Sequence, residues 1–181
     1  MRTQLIQRSL LGLGLATVLL ACLDEPNYSD VPTIRLVGPP TKVTLEPGIL
    51  VGQSRRDSVI VTIGFQDGTG DLGEDTRDTT RQRLIFGKEP WGNYEIRTFQ
   101  FLNGTFTELP QGDNKKLFFP RLTREGQRGP IEGDLDFSQV FPYQRPFRMV
   151  PVKFQIRIRD RGLQVSNIIE TDTISVPLNA R

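Results

Sequence analysis

"VPVKFQIRIRD", residues 150–160, decides the fold. Val150, Val152, Phe154, Ile156 and Ile158 alternate with Pro151, Lys153, Gln155, Arg157 and Arg159. A period of two places one set of side chains in a core and the other in water, which is the pattern of a half-buried β-strand. Pro151 has no N–H to donate, so the strand starts at an edge or ahead of its ladder. "DSVIVTIGF", residues 57–65, behaves likewise, with Val59, Val61, Ile63 and Phe65 on the inner face.

Working outward, "FQFLNGTFTEL" sets Asn103-Gly104 between two strand-like runs, the strongest short signal for a two-residue hairpin turn. That turn opposes Leu102 to Thr105 and Phe101 to Phe106. Tyr94 and Ile96 fall on even positions but Phe99 and Phe101 on odd ones, a change of phase that predicts a bulge near Arg97 and Thr98. Further strands are expected at Thr33–Val37, Lys42–Leu45, Leu84–Phe86, Lys115–Phe119, Ile131–Phe137 and Thr171–Leu178. "FPYQRPFRMVP", residues 141–151, reads as a rigid loop because of its prolines. Thirteen prolines and seventeen glycines are spread along the chain and no long amphipathic helical pattern appears. Short strands punctuated in this way predict an all-β fold, a single antiparallel immunoglobulin-like β-sandwich over residues 33–181.

The N-terminus carries Arg2 and Arg8, an apolar run from Leu10 to Leu20, then Ala21 and Cys22. A basic head and an apolar stretch of about 11 residues suit an export signal, being too short for a mature spanning helix of ~20. "LLAC" resembles the lipobox of bacterial lipoproteins, which implies a signal peptide over 1–21 and a lipid on Cys22. Residues 22–32, with the acidic and turn-rich "LDEPNYSD", read as a flexible tether. Acidic residues behind the cysteine resemble the surface-export signal of Bacteroidetes lipoproteins. A merely solvated linker accounts for them equally well. Leu23 after the cysteine favours the outer membrane over the inner. Cys22 is the only cysteine, so no intramolecular disulfide can form. With Arg2 and Arg8 removed, basic and acidic residues are equal in number, which argues against an electrostatic nucleic-acid binder.

Four segments, "LLAC", "GFQDGTGDLGEDTRDTT", "GPIEGDLDF" and "VKFQIRIRDRGLQVSNIIETDTISV", resemble a family of Bacteroidetes outer-membrane lipoproteins of unassigned function. The resemblance implies an immunoglobulin-like sandwich, with Asp160, Ser166, Asn167 and Thr171 in matching places. It implies no activity.

"FQDGTGDLGED", residues 65–75, interleaves four acidic residues with glycines. Asp67, Thr69, Asp71, Glu74 and Asp75 can offer the oxygen ligands that calcium prefers, although Leu72 stands where a helical calcium loop requires glycine. In an immunoglobulin-like fold the strands ending at Phe65 and Asp160 run in the same direction. Asp160 then joins Asp67 and Asp71 at one end of the sandwich. Two other readings stay open: aspartate and glycine serve ordinary turns, and the arginines of "DTRDTTRQR" can neutralise the carboxylates.

The chain has no histidine, which excludes histidine-based triads and the usual zinc sites. Glu132, Asp134 and Asp136 are candidate acids for glycoside hydrolysis, or simply a solvated strand face. Trp91, Tyr94 and Tyr143 are candidates for a surface that stacks on a glycan or anchors a protein, with burial in the core as the alternative for Trp91. The expected function is a non-enzymatic, lipid-anchored binding or accessory module of the outer membrane. A calcium-stabilised scaffold domain of an envelope complex is the alternative, and a carboxylate-based hydrolase the second.

Overall fold

The computed structural model describes residues 25–48, 54–109 and 116–179, so the signal segment and Cys22 lie outside the described residues. The protein is mostly antiparallel β, with 49% of the described residues in strands and 6% in helix. In chain order the strands are β1 (Thr33–Leu36), β2 (Thr41–Leu45) and β3 (Arg56–Asp67), then helix α1 (Thr79–Phe86). They continue with β4 (Tyr94–Leu102), β5 (Thr105–Glu108), β6 (Ile131–Pro142), β7 (Phe147–Ile158), β8 (Ile169–Glu170) and β9 (Ile174–Asn179).

In the first sheet β3 is central. One of its edges pairs with β6, and the other is shared by β1, opposite residues 63–66, and β2, opposite residues 56–60. The break between β1 and β2 falls at Gly38-Pro39-Pro40. Gly38 takes a φ of 84°, and neither proline has an N–H for the ladder. In the second sheet β7 is central, with β4 and its hairpin partner β5 on one side and β8 and β9 on the other.

Both central strands turn their alternating faces into one core. Val59, Val61 and Ile63 from β3 meet Val152, Phe154, Ile156 and Ile158 from β7, all fully or almost fully buried. Each such side chain contributes roughly 1.5–3 kcal/mol of transfer free energy. Aromatic contacts tie the sheets together: Tyr94 stacks on Phe137 at 4.4 Å and Phe141 lies 6.2 Å from Phe154. Pro151 sits one residue ahead of the β4 ladder but inside β7, opposite Ser175 of β9, so the strand begins four residues before it, at Phe147, rather than at the proline.

The hairpin is as its turn demands: Asn103 and Gly104 have φ of 52° and 83°, and Phe101 faces Phe106 at 5.1 Å. Five expectations are corrected. No bulge occurs at Arg97 and Thr98, because β4 keeps one register with β7 from Tyr94 to Gln100. Instead Phe99 and Phe101 point to the outer face, where Arg97 covers the Phe99 ring. Leu84–Phe86 is helix rather than strand: Asp78 caps α1 by accepting from the Arg81 N–H at 2.9 Å, and Leu84 faces water. The prolines of residues 141–151 do not exclude strand, since β6 runs to Pro142 and β7 starts at Phe147, with Arg145–Pro146 cis in the turn. Among the described residues of Lys115–Phe119 only Leu117 bridges, to Tyr94, and the strand expected over Thr171–Leu178 starts only at Ile174, as β9, with the short β8 lying ahead of Thr171.

The segment before β1 is held rather than free. The Gly68 N–H donates to Ser29 O at 2.9 Å, and Pro32 is buried. Because Thr33 pairs with Gln66, the chain enters the sheets at the end where β3 and β7 finish.

Candidate metal centre

That end is where the carboxylates gather. Beyond β3 the chain turns through Gly70, whose φ of 69° suits glycine, and brings Leu72 into a bridge with Asp160 just past β7. The Arg161 N–H donates to Asp71 O at 3.3 Å, and Leu72 is fully buried between the two segments. Asp67, Asp71 and Asp160 thereby each place a carboxylate oxygen within 4.8 Å of the others. Asp67 and Asp160 are fully buried and Asp71 half-buried.

Turn chemistry accounts for part of this. Asp67 Oδ2 accepts from the Asp71 N–H at 3.1 Å, and Thr69 Oγ1 donates to Asp71 Oδ1 at 2.6 Å. Asp160 Oδ1 accepts from the Gln164 N–H at 2.8 Å. Asp160 Oδ2 is different: it is buried and has no hydrogen-bond partner. A buried acceptor left unmade costs about 1–3 kcal/mol, more when charged, so a turn alone does not explain it. Burial, then the neighbouring Asp71 and Asp67 charges, push the Asp160 carboxyl up from 3.8 to about 6. Burial also raises Asp67, assisted by Asp71 and opposed by backbone N–H donors.

The arginines downstream do not neutralise the cluster. Arg81 turns instead to Glu74, with Nε 3.1 Å from Oε2, and to Glu125 at 3.3 Å. No described lysine or arginine forms an ion pair with the three aspartates. The donor set fits a hard divalent cation. Ligand oxygens 2.3–2.6 Å from calcium lie at most about 5 Å apart, which the 4.8 Å spread satisfies. Asp67, Asp71 and Asp160 would hold the ion, with the Thr69 hydroxyl beside them. An all-oxygen set with no nitrogen or sulfur disfavours zinc and copper.

The remaining candidates lie elsewhere. Trp91 is 4% exposed, its ring covered by the Arg159 guanidinium at 4.0 Å. Arg159 is itself buried, bonded to the Gly92 carbonyl and to Glu89, so it pins this loop to the end of β7. Tyr94 is half-buried against the core, and Tyr143 sits at the other end of β7 with its hydroxyl 3.2 Å from Asp57. The three aromatic residues therefore form no common surface. Glu132, Asp134 and Asp136 lie along β6, where Glu132 accepts from Gln66 and Asp136 from Thr62.

Glu74 and Asp75, offered to calcium by the sequence, do not join the cluster, and Glu74 belongs instead to a second charged centre that sequence reasoning missed. Glu74 is fully buried and accepts from Arg121 Nε at 2.8 Å and Nη2 at 2.7 Å as well as from Arg81. Burial would raise its carboxyl, but the Asp75 N–H and the two guanidiniums outweigh this and hold it below the usual range. Arg121 is 47 positions from Glu74, and no local pattern announces such a pair.

Fold and centre together define an all-β, two-sheet protein with three carboxylates converging at one end. No protein-family model, curated protein or solved structure matches the chain.

Proposed function

We propose that this chain is a non-enzymatic spacing and scaffold domain of the bacterial outer membrane, tethered by a lipid on Cys22 and locked at one end by a divalent cation, with calcium the best fit. The observation that carries the cation is the orphaned Asp160 Oδ2, buried between two further carboxylates. An ion there supplies the missing partner and removes like-charge repulsion across the two segments that close the sandwich. An immunoglobulin-like topology is supported by the strand order, since β3 pairs with β6 while β4 and β9 flank β7 in the other sheet. The lipid rests on "LLAC" alone.

The test is thermal melting of the purified protein after chelation, followed by calcium titration. Saturation at about a hundred times Kd stabilises by about 2.7 kcal/mol, or roughly 5–10 °C for a domain of this size. An unmoved midpoint at millimolar calcium removes the cation from the proposal. Protein mass spectrometry tests the lipid independently.

A further inference from the structure

A cleft of about 530 Å³ opens beside the carboxylate cluster, lined by Arg81, Arg121, Arg128 and Arg161 together with Asp71 and Glu125. Arg81 and Arg121 are already committed in part to the buried Glu74. Their outward faces share Glu125, whose carboxylate is 77% exposed and lies at long distances of 3.3 and 3.5 Å. Arg128 is exposed and makes no ion pair with any described residue. Glu125 thus occupies, loosely, a position where a better-placed oxyanion would meet two guanidiniums in the forked geometry that arginine favours. With a divalent ion among the three aspartates, the cluster's remaining charge together with Glu74, Glu125 and Glu25 balances the four guanidiniums, so an anion would bind by displacing Glu125 from Arg81 and Arg121, beside Arg128.

The path of the chain points to where that anion comes from. Tyr28 and Ser29 run directly over Gly68, and the Glu25 carboxylate lies beside Gly129, both of them glycines of the cleft wall. Cys22 is three residues before Glu25, a reach of about 10 Å when fully extended. A lipid on Cys22 sets this end of the molecule against the bilayer. We propose that the arginine cleft binds the phosphate of membrane headgroups, orienting the domain on its own membrane. This rests on the anchor and cation of the proposed function.

The probe is co-sedimentation of the mature chain carrying Cys22→Ser, which keeps every element of the fold but no lipid. Vesicles are of phosphatidylcholine, with or without phosphatidylglycerol. Binding is expected only to the anionic vesicles, with inorganic phosphate competing. Glu125→Gln should tighten it several-fold and Arg128→Ala weaken it several-fold, while Asp134→Asn, an equal change of charge on β6, leaves it unchanged. Equal binding to both vesicle types, or equal effects of Glu125→Gln and Asp134→Asn, overturns the proposal. Capture of inorganic phosphate without vesicle binding overturns the headgroup as its source. Repeating the assay in calcium and in chelator separates the two ideas. A calcium-dependent melting shift without vesicle binding sinks this proposal alone, whereas the absence of a melting shift removes the cation and with it the charge balance this proposal needs.

Discussion

Replacing Asp160 by asparagine makes opposite predictions for the cation-free and cation-filled protein. Asparagine keeps an oxygen to accept from the Gln164 N–H, and it replaces the orphaned carboxylate oxygen by an amide that can donate to Asp67 or Asp71. The native state raises the Asp160 carboxyl from 3.8 to about 6. At ~1.36 kcal/mol per pH unit, ionising it in the fold costs about 3 kcal/mol above the unfolded chain. In chelator at neutral pH, Asp160→Asn should therefore stabilise by up to about 3 kcal/mol, or roughly 6–12 °C in Tm. In millimolar calcium the wild type should rise while the variant, lacking a ligand, stays where it was. Melting followed by circular dichroism in both buffers reads the crossover. A variant that melts below wild type in chelator and responds to calcium as wild type does refutes the reasoning, because Asp160 would then be an ordinary turn residue.

Other outcomes follow from the same contacts. In chelator, the stability that a protonated Asp160 provides is complete below about 4 and is lost as pH rises through about 6. Glu74 acts in the opposite sense, its contribution being lost as pH falls through its lowered folded value, so a melting series should peak between these limits and move toward neutral when calcium is added. Arg121→Met leaves the buried Glu74 with Arg81 alone and should cost about 3 kcal/mol in urea unfolding, the lower part of the range for a broken buried pair. Phe154→Ala removes a fully buried ring that contacts Phe141 across the sheets and should cost about 3–5 kcal/mol by the same measurement. Intact-protein mass spectrometry of the membrane-extracted protein should show an N-terminus at Cys22 carrying acyl chains, and an unmodified Cys22 would contradict the lipid anchor.

The two central strands were legible because their inner faces alternate without a break, Val59 to Phe65 and Val150 to Ile158. The convergence of Asp160 on Asp67 and Asp71 was legible for a topological reason: parallel central strands in facing sheets finish at the same end. What escaped was set by tertiary contacts. Helix α1 has a cap at Asp78 but no apolar stripe, since only Phe86 is buried, so the periodicity that marks helices was missing. The phase change in β4 resembled a bulge because Phe99 and Phe101 are aromatic yet outward, one under Arg97 and the other against Phe106. Burial of Trp91 was one of two open readings, and what covers it was not legible, since Arg159 arrives from 68 positions away. The orphaned oxygen was invisible too, because a sequence names a carboxylate without saying which of its two atoms has found a donor.

The twelve-residue length of β3 and of β7 also fixes how far the molecule reaches. At ~3.3 Å per residue these strands run for about 40 Å, and the polypeptide joins them at the end that carries the aspartates. With the lipid proposed for Cys22, they would stand as a post of about that height, with the Tyr143–Pro146 turn at the end away from the membrane.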